Sequence, residues 1–570
     1  MSKRKAFLPD WTEKIAPPDS WRSVFKWGAP DGFKHPSAHW YAMMKEEFGL
    51  SDADFSRKIR EGLEPVVAPS KPALAKKHLD KLKELAGPES VSTDDYSRVK
   101  FSYGMTVDEA LELRAQSPKT VADAVVHPRN KDDVQKIVAY CAAEKIPLYT
   151  YGAGSSVNYG VRTEKGGISL ALGTHMNKVL SVNEQNQTAQ VQPGMLGPAY
   201  EATLNDAPRF FSVKKRYTCG HFPQSFEFSS VGGWVAALGS GQASTYYGDA
   251  CDILLSLEVV TPAGTIRTLS YPGTATGPKI TDMFKGSEGA FGVITELTMK
   301  IFRYMPENRR YFGYMFPSWG AAVDCAREMV QGEFGLPAVF RISDAEETDR
   351  GLKLYGIPSV VDAGLIRMGH IPGKRCLCLG TCEGDEDYTA LVSAKIKKLA
   401  KKNGATSLSG YASRKWEKTR FTEPYMREDL NDYGLIIDTL ETGVTWDNIH
   451  RLHQGVRKVV KARPRTMCMT HASHFYPQGT NLYFIFMIRP ENEAEYKDFQ
   501  LRIVDAIVQN GGSISHHHGV GKMLAPWMET HLGTAQMDVL RALKKHFDPD
   551  NIMNPGGQMG LDLEPGRRRK

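Results

Sequence analysis

The sequence predicts an α+β protein of two main domains, and three observations predict it. At 570 residues the chain exceeds what a single hydrophobic core normally organises. From about residue 118 onward, strand-like apolar runs alternate with amphipathic helical runs. Hydrophobic content of 41% with 24% charged residues is ordinary for a globular chain with a large core, so disorder is expected only at the ends.

The elements follow in order. Residues 1–100 hold four of the nine tryptophans (Trp11, Trp21, Trp27 and Trp40) in Pro- and Gly-broken sequence, which reads as an extension wrapped over another surface. Within it, "PALAKKHLDKLKEL" (72–85) has the spacing of an amphipathic helix with a basic outer face. Residues 101–304 read as a first domain, α+β or α/β. There "TVADAVVHP" is a strand, and "NKDDVQKIVAYCAAEK" is a helix capped by Asn130 with acidic residues in its first turn. "IPLYTYGAGSSVNYG" runs from strand into glycine loop, and "GISLAL", "TAQVQPG", "LLSLEVVTPAG" and "GVITELTMKIF" supply further strands. Residues 305–530 read as a second domain, an antiparallel sheet flanked by helices. Its strands include "RYFGYMF", "CLCLGTC" and "NLYFIFMI"; its helices include "WGAAVDCAREMV", "YTALVSAKIKKLAKK" and "EYKDFQLRIVDAIVQN". Residues 531–570, with the helix and Pro-Gly stop of "RALKKHFDPDNIMNPG", are expected to return to the first domain.

Composition narrows the function classes. A net charge of +7 is too dilute over this length to argue for a nucleic-acid partner, and it fits anionic small substrates or an anionic membrane surface equally well. Of the eight cysteines only Cys376, Cys378 and Cys382 cluster, without the second ligand pair of a zinc site. Cys376 and Cys378 read instead as one face of a buried strand in a reducing compartment. "MSKRKAFLPDWTEK" lacks an apolar signal core, no run approaches the roughly 20 residues that span a bilayer, and "GRRRK" is not a peroxisomal address. A cytoplasmic location with at most peripheral membrane contact is expected.

Three loops of small residues carry the first chemistry. In "YGAGSSVNYG" (151–160) glycines let backbone N–H groups converge on an anion, and Ser155 and Ser156 add donors. Alone it would be a tight turn, and it is not the G-x-G-x-x-G of a Rossmann unit. "FSSVGGWVAALGSG" (228–241) and "KGSEGAFGVITE" (285–296) accompany it, and three such loops in one domain point to a large phosphate-bearing cofactor.

"PLYTYGAGSSVNYG", "VQPGMLG", "FSSVGGWVA", "GSEGAFGVITE" and "FDPDNIMNPG" stand in the order found in the vanillyl-alcohol-oxidase-like FAD flavoproteins, which the chain resembles over roughly residues 118–556. The resemblance implies a two-domain FAD-binding fold of the vanillyl-alcohol-oxidase/PCMH type, with an antiparallel-sheet cap domain for substrate. It implies FAD pyrophosphate on Gly152, Ala153, Gly154, Ser155 and Ser156, with Tyr159 and Gly160 closing that loop. Further contacts would come from Pro223, Ser225, Ser229, Ser230, Gly232 and Gly233. Glu288, Gly289, Gly292, Val293 and Ile294 would bound the isoalloxazine edge. The 151–160 loop has no histidine or cysteine, where some relatives attach flavin covalently, so non-covalent FAD is expected.

The stretch "SISHHHGVGK" (513–522) places three of the 16 histidines side by side. They could be metal ligands, proton carriers or a structural turn. Relatives that oxidise 2-hydroxy acids carry two histidines and a glutamate that hold a divalent metal; this chain has Tyr476, Tyr483 and His517 in those places. Two phenols and an imidazole suit a hard cation poorly, so no metal is expected, and proton transfer and anion contact become the main reading.

"SHHHGVGK" with a tyrosine upstream resembles the alkyldihydroxyacetonephosphate synthase branch of the superfamily, as do "VFRISD", "YMREDLNDYGLIIDTLETGVTWD" and "ATGPKITDMFKGSEG". What this resemblance implies is ether lipid synthesis without net redox. The acyl chain of acyl-dihydroxyacetone phosphate is exchanged for a long-chain alcohol through a flavin N5 adduct. It implies Tyr476 as acid/base with His517 and His518 as partners, Arg341 and Arg427 near phosphate or the departing carboxylate, His516 at the substrate, and a homodimer. The other enzyme reading is an FAD-dependent 2-hydroxy-acid dehydrogenase of lactate or glycolate type. Three departures bear on substrate grip: "GQAST" (241–245) replaces the branch's Met-Lys-Lys, Gln224 replaces an acidic residue, and Ala153 interrupts the glycine loop. "HRLHQGVRKVVKARPR" (450–465) reads as a solvated charged face or as a contact for anionic lipid.

Overall fold

A computed structural model describes residue 8 and residues 14–57 and 59–569. Trp11 and most of the stretch "MSKRKAFLPDWTEK" lie outside the described residues.

Two sheets build the first half. The smaller has the spatial order Val91–Ser92, Ala124–Val126, Ile168–Ala171, Leu148–Tyr151, with its last three strands parallel. The helix Lys131–Glu144 covers it through Val134, Ile137, Val138 and Cys141; its first turn is fixed by Asn130, whose side chain accepts from the N–H groups of Asp132 and Asp133. The second sheet is antiparallel, in the order Val179–Asn183, Thr188–Val191, Val293–Lys300, Leu254–Thr261, Gly264–Arg267. Residues near the far end of the chain return to the first sheet: Leu148 donates to Ile552 O at 2.8 Å and accepts from Asn554 N at 2.8 Å.

The second half is a seven-stranded antiparallel sheet. Its order is Thr406–Ser407, Arg310–Phe316, Cys376–Cys382, Val339–Ser343, Met467–Tyr476, Gly479–Ile488, Ile436–Thr445. The period of two along each strand separates its faces. Cys376, Cys378, Phe340, Ile342, Cys468, Phe484 and Phe486 pack under the helices Trp319–Val330, Glu386–Lys402, Ile449–Lys461 and Glu493–Gln509. Their strand neighbours Leu377, Leu379, Arg341, Met469, His471, Tyr483 and Ile485 face a cavity on the other side. All eight cysteines are unpaired thiols.

The N-terminal extension is clasped to this sheet. Trp40, Met43, Met44 and Phe48 of the helix Ala38–Phe48 join one apolar cluster with Ile437, Met467 and Met487. Arg22 pairs with Asp432 at 2.5 Å and Asp54 with Arg489 at 2.5 Å.

In the basic segment 450–465 one face is buried and the other keeps exposed basic residues, among them Arg451, Lys458 and Arg465. Ile449, Leu452, Val456 and Val460 are buried, Arg457 and Lys461 pair with Asp344 and Glu346 at 2.7–3.0 Å, and Arg463 pairs with Glu495 at 2.8 Å. Three of its six lysines and arginines are thus paired within the fold. Among the described residues, no helix is long and apolar enough to cross a membrane.

Candidate functional site

The cavity lies between the seven-stranded sheet and the three small-residue loops. Gly152–Ser156, Ser229, Ser230, Gly232, Gly233, Glu288, Gly289 and Gly292 form its floor, together with Gly160, Pro223, Ser225 and Ile294. Close approach explains the glycines. A Cβ on Gly152 would lie 2.4 Å from Ser230 Oγ, and Gly154 has φ +75° with the Tyr151 ring against it. Among the described residues, the N–H groups of Ala153–Ser156 meet no protein acceptor, which leaves a nest of donors suited to an anion. A flat, phosphate-bearing group such as FAD fits this floor.

The histidine turn is fastened over that floor by two of the same loops. Asn158 Nδ2 donates to His518 O at 2.9 Å, and the Asn158 carbonyl accepts from the N–H groups of Lys522 and Met523, each at 3.1 Å. Glu288 accepts from Val520 N at 2.6 Å and from Gly521 N at 2.7 Å. Burial pushes the Glu288 carboxyl up to about 7, although those N–H groups and Lys522 favour its charge.

From the sheet side the turn is held by Glu441. Its buried carboxylate accepts from the N–H groups of His516 (2.7 Å), His517 (3.2 Å) and His518 (3.0 Å), from Ser515 Oγ (2.7 Å) and from Asn481 Nδ2 (3.0 Å). Glu441, His516 and His517 bring ligand-type atoms within 4.8 Å of one another. Both carboxylate oxygens accept from that donor set, which anchors the turn.

Burial and the neighbouring imidazoles hold His517 well below the ordinary imidazole range. Burial lowers His518 too, against the pull of Glu441. Both are therefore neutral near pH 7.

Tyr483 and His471 stand beside them on the sheet. The Tyr483 ring stacks on His471 with centroids 4.9 Å apart and meets His518 edge-on at 5.5 Å, while its hydroxyl donates to Thr439 Oγ1 at 3.1 Å. Burial pushes its phenol up to about 12. Arg341 pairs with Glu347, whose other oxygen lies 3.2 Å from His471 Nδ1. Burial raises the Glu347 carboxyl, but Arg341 and His471 outweigh it and hold it at about 2. Arg427, also on the wall, pairs with Glu428 at 2.8 Å.

Four residues expected at the site are not on the cavity wall. Tyr476 pairs with Gly479 at the hairpin end, four residues or about 13 Å beyond the level of Tyr483. Its hydroxyl donates to Asp249 Oδ2 at 2.6 Å and lies 2.9 Å from His516 Nε2. Tyr483 occupies the wall in its place. His516 stands behind His517, with 3.1 Å between their Nδ1 atoms. Val293 points into the core under Val134 and Val138 because it alternates with Ile294 along its strand. Tyr159, at φ +61°, turns its hydroxyl to Asp108. Tyr483, His471, Glu441 and Glu347 were the residues that sequence reasoning missed as site members. The signal for His471 was its period-two spacing after Met467 and Met469.

Of the departures, Gln224 lines the cavity, donating to Arg420 O at 2.5 Å and accepting from Gln242 Nε2 at 3.1 Å. In the "GQAST" segment, Ser244 Oγ lies 2.8 Å from His474 Nδ1.

Comparison with known proteins gives consistent matches. Residues 122–270 match the family described as FAD binding domain, and residues 305–557 match FAD linked oxidases, C-terminal domain. Alkyldihydroxyacetonephosphate synthase of Dictyostelium discoideum is 30% identical, covering 83% of this chain and 79% of that protein. The Trypanosoma brucei brucei protein of the same name is 28% identical, over 91% of this chain and 87% of its own. A solved alkyldihydroxyacetonephosphate synthase structure superposes with TM-score 0.79 at 25% identity, covering 94% of this chain and 99% of that one.

Proposed function

The chain belongs to the alkyldihydroxyacetonephosphate synthase family, and from that membership we propose how its side chains divide the family's work. The reaction exchanges the acyl chain of acyl-dihydroxyacetone phosphate for a long-chain fatty alcohol and leaves an ether with no net redox. One observation carries the assignment of roles: the anion-ready loops, the anchored histidine turn with Tyr483, and two arginines meet in one cavity whose far end is apolar.

The loops 152–156, 229–233 and 288–292 would hold FAD, which when bound supplies the electronic chemistry at the carbon that changes partners. We read it as non-covalently held, since the 151–160 loop carries no histidine or cysteine. Arg341 and Arg427 keep guanidinium donors beyond their carboxylate partners and serve the substrate phosphate and the departing carboxylate.

His517, neutral and with Nδ1 facing His516 and Glu441, has Nε2 left to take the proton from the substrate carbon. Tyr483 keeps its phenolic proton near pH 7 and can turn it from Thr439 Oγ1 to the leaving carboxylate. His518 meets the Tyr483 ring edge-on and His471 stacks on it, so the phenol is held in one orientation.

The chain of the substrate runs along the sheet. The level of His471 and Tyr483 is followed, two residues on, by Met469, Ile485 and Thr439, and then by Met467 and Ile437. Trp40 and Met43 of the N-terminal extension close that end.

The deciding assay supplies acyl-dihydroxyacetone phosphate and hexadecanol to the flavin-loaded protein. Ether product with stoichiometric fatty acid is expected, with no dye reduction by lactate or glycolate. Brisk dye reduction without ether would overturn the reading in favour of a hydroxy-acid dehydrogenase.

A further inference from the structure

We propose that Tyr476 and Asp249 are positioning residues that fix the tautomer of His517 and leave its Nε2 bare. The inference rests on the reading of His517 as the proton acceptor, and it gives a task to the tyrosine that the cavity does not use.

The argument follows hydrogens along four groups. Asp249 is an acceptor when ionised, and Tyr476 donates its only hydroxyl proton to Asp249 Oδ2 at 2.6 Å. Burial works against the charge on Asp249, but its neighbours, the Tyr476 hydroxyl among them, outweigh it and keep the carboxyl below the usual range. With its proton committed, the Tyr476 oxygen can only accept, so the partner at 2.9 Å must be a His516 Nε2–H. In an imidazole whose one hydrogen is on Nε2, Nδ1 is bare. That bare atom lies 3.1 Å from His517 Nδ1, which must then carry the hydrogen. A neutral His517 with hydrogen on Nδ1 is bare at Nε2, the state a general base requires.

A second contact favours the same tautomer. Glu441 Oε2 lies 3.4 Å from His517 Nδ1, so the hydrogen on that nitrogen faces an anion as well as an acceptor nitrogen. The opposite tautomer would set two lone pairs against each other across 3.1 Å and leave the same bare Nδ1 of His517 facing the carboxylate. His474, the other imidazole of this cluster, is occupied elsewhere through Nδ1, 2.8 Å from Ser244 Oγ. The run of three histidines thereby divides: His517 and His518 line the cavity, and His516 transmits orientation from Asp249 and Tyr476.

Nitrogen NMR of the holoenzyme labelled with 15N-histidine, using His517→Gln for assignment, reads the tautomer directly and needs no turnover. The Nδ1–H form of His517 is expected near neutral pH; the Nε2–H form in the wild-type protein overturns the proposal whether or not any variant folds. Tyr476→Phe should convert His517 toward the Nε2–H form and lower kcat by roughly 100-fold, less than the roughly 10,000-fold that a wrong imidazole tautomer costs in a catalytic triad. KM and bound flavin should stay unchanged. Asp249→Asn keeps an acceptor oxygen and should retain far more activity than Asp249→Ala. A flavin-loaded Tyr476→Phe protein with wild-type kcat also overturns it. If the wild-type protein forms no ether at all, the functional reading fails instead, and the tautomer measurement still stands by itself.

Discussion

His471 and Tyr483 face each other across adjacent strands, their rings 4.9 Å apart and within 20° of parallel. They are register partners, so the hairpin itself sets the stack, and it places the phenol of Tyr483 beside His517 and His518 on the cavity wall. Tyr483→Phe removes the hydroxyl and keeps the ring. Ether formation should fall by about 100- to 10,000-fold while flavin content stays constant. A Tyr483→Phe enzyme with near wild-type kcat would take the phenol out of the chemistry.

Burial holds His471, His474, His517 and His518 below the ordinary imidazole range, His474 at about 3. A base with a depressed folded pKa contributes stability above its unfolded pKa, near 6.5, that is lost as pH falls. Between pH 6.5 and 5, each histidine that stays neutral in the fold costs about 2 kcal/mol. Glu288, pushed up to about 7, works the other way, gaining stability as pH falls from there toward its unfolded value. Burial also raises Glu109, Asp429 and Asp438 and lowers His127, His221, His370 and His531, so eight imidazoles stand against four carboxyls. Thermal melts of the holoenzyme should therefore show a lower Tm at pH 5 than at pH 7.5, and His474→Asn should flatten that slope. A flat or rising Tm over this interval would contradict the burial of neutral imidazoles.

The distance from the His471–Tyr483 level to the Met467–Ile437 level is four residues, about 13 Å, or roughly ten carbon–carbon bonds of an extended chain. Trp40 and Met43 stand at its end. Trp40→Ala should shift the preferred alcohol toward longer chains, read as kcat/KM over a series of chain lengths, and Met469→Trp should shift it toward shorter ones. An unchanged profile in both flavin-loaded variants would place the chain elsewhere.

Acid or heat precipitation should release FAD into the supernatant, where its absorbance and chromatographic mobility match free FAD. Flavin that stays with the precipitate would require a covalent bond that the 151–160 loop does not offer.

The small-residue loops were legible because their chemistry is local: glycine and serine at fixed spacing are needed wherever backbone must meet a flat anion. The strands were legible by alternation, and Arg341 keeps the parity that faces the cavity. Which tyrosine meets the histidines was not legible. A bulge at His474, φ +54°, breaks the register between Ser473 and Phe475, and the facing of Tyr476 depends on that extra residue. Glu441 and Glu347 were missed for a different reason. Glu441, in a strand, has no sequence signature for its partner His516, 75 residues downstream, and Glu347, in the first turn of a helix, has none for His471. In the basic segment 450–465 the ion pairs to Asp344 and Glu346 were not legible, because they form only when the helix is docked.

The return of Ile552–Asn554 to Leu148 has a consequence for synthesis of the chain. Asn554 Nδ2 donates to Gly160 O at 2.8 Å and to Glu288 O at 2.9 Å, joining two of the cofactor loops through a residue translated hundreds of codons after the first of them. Leu148, meanwhile, waits for both of its late partners. The first half can collapse on the ribosome, but its loops remain unlatched until residue 554 has left the exit tunnel. Cofactor loading is thereby deferred until that residue has emerged, and truncation just before Ile552 should yield a protein that keeps its sheets and binds flavin weakly.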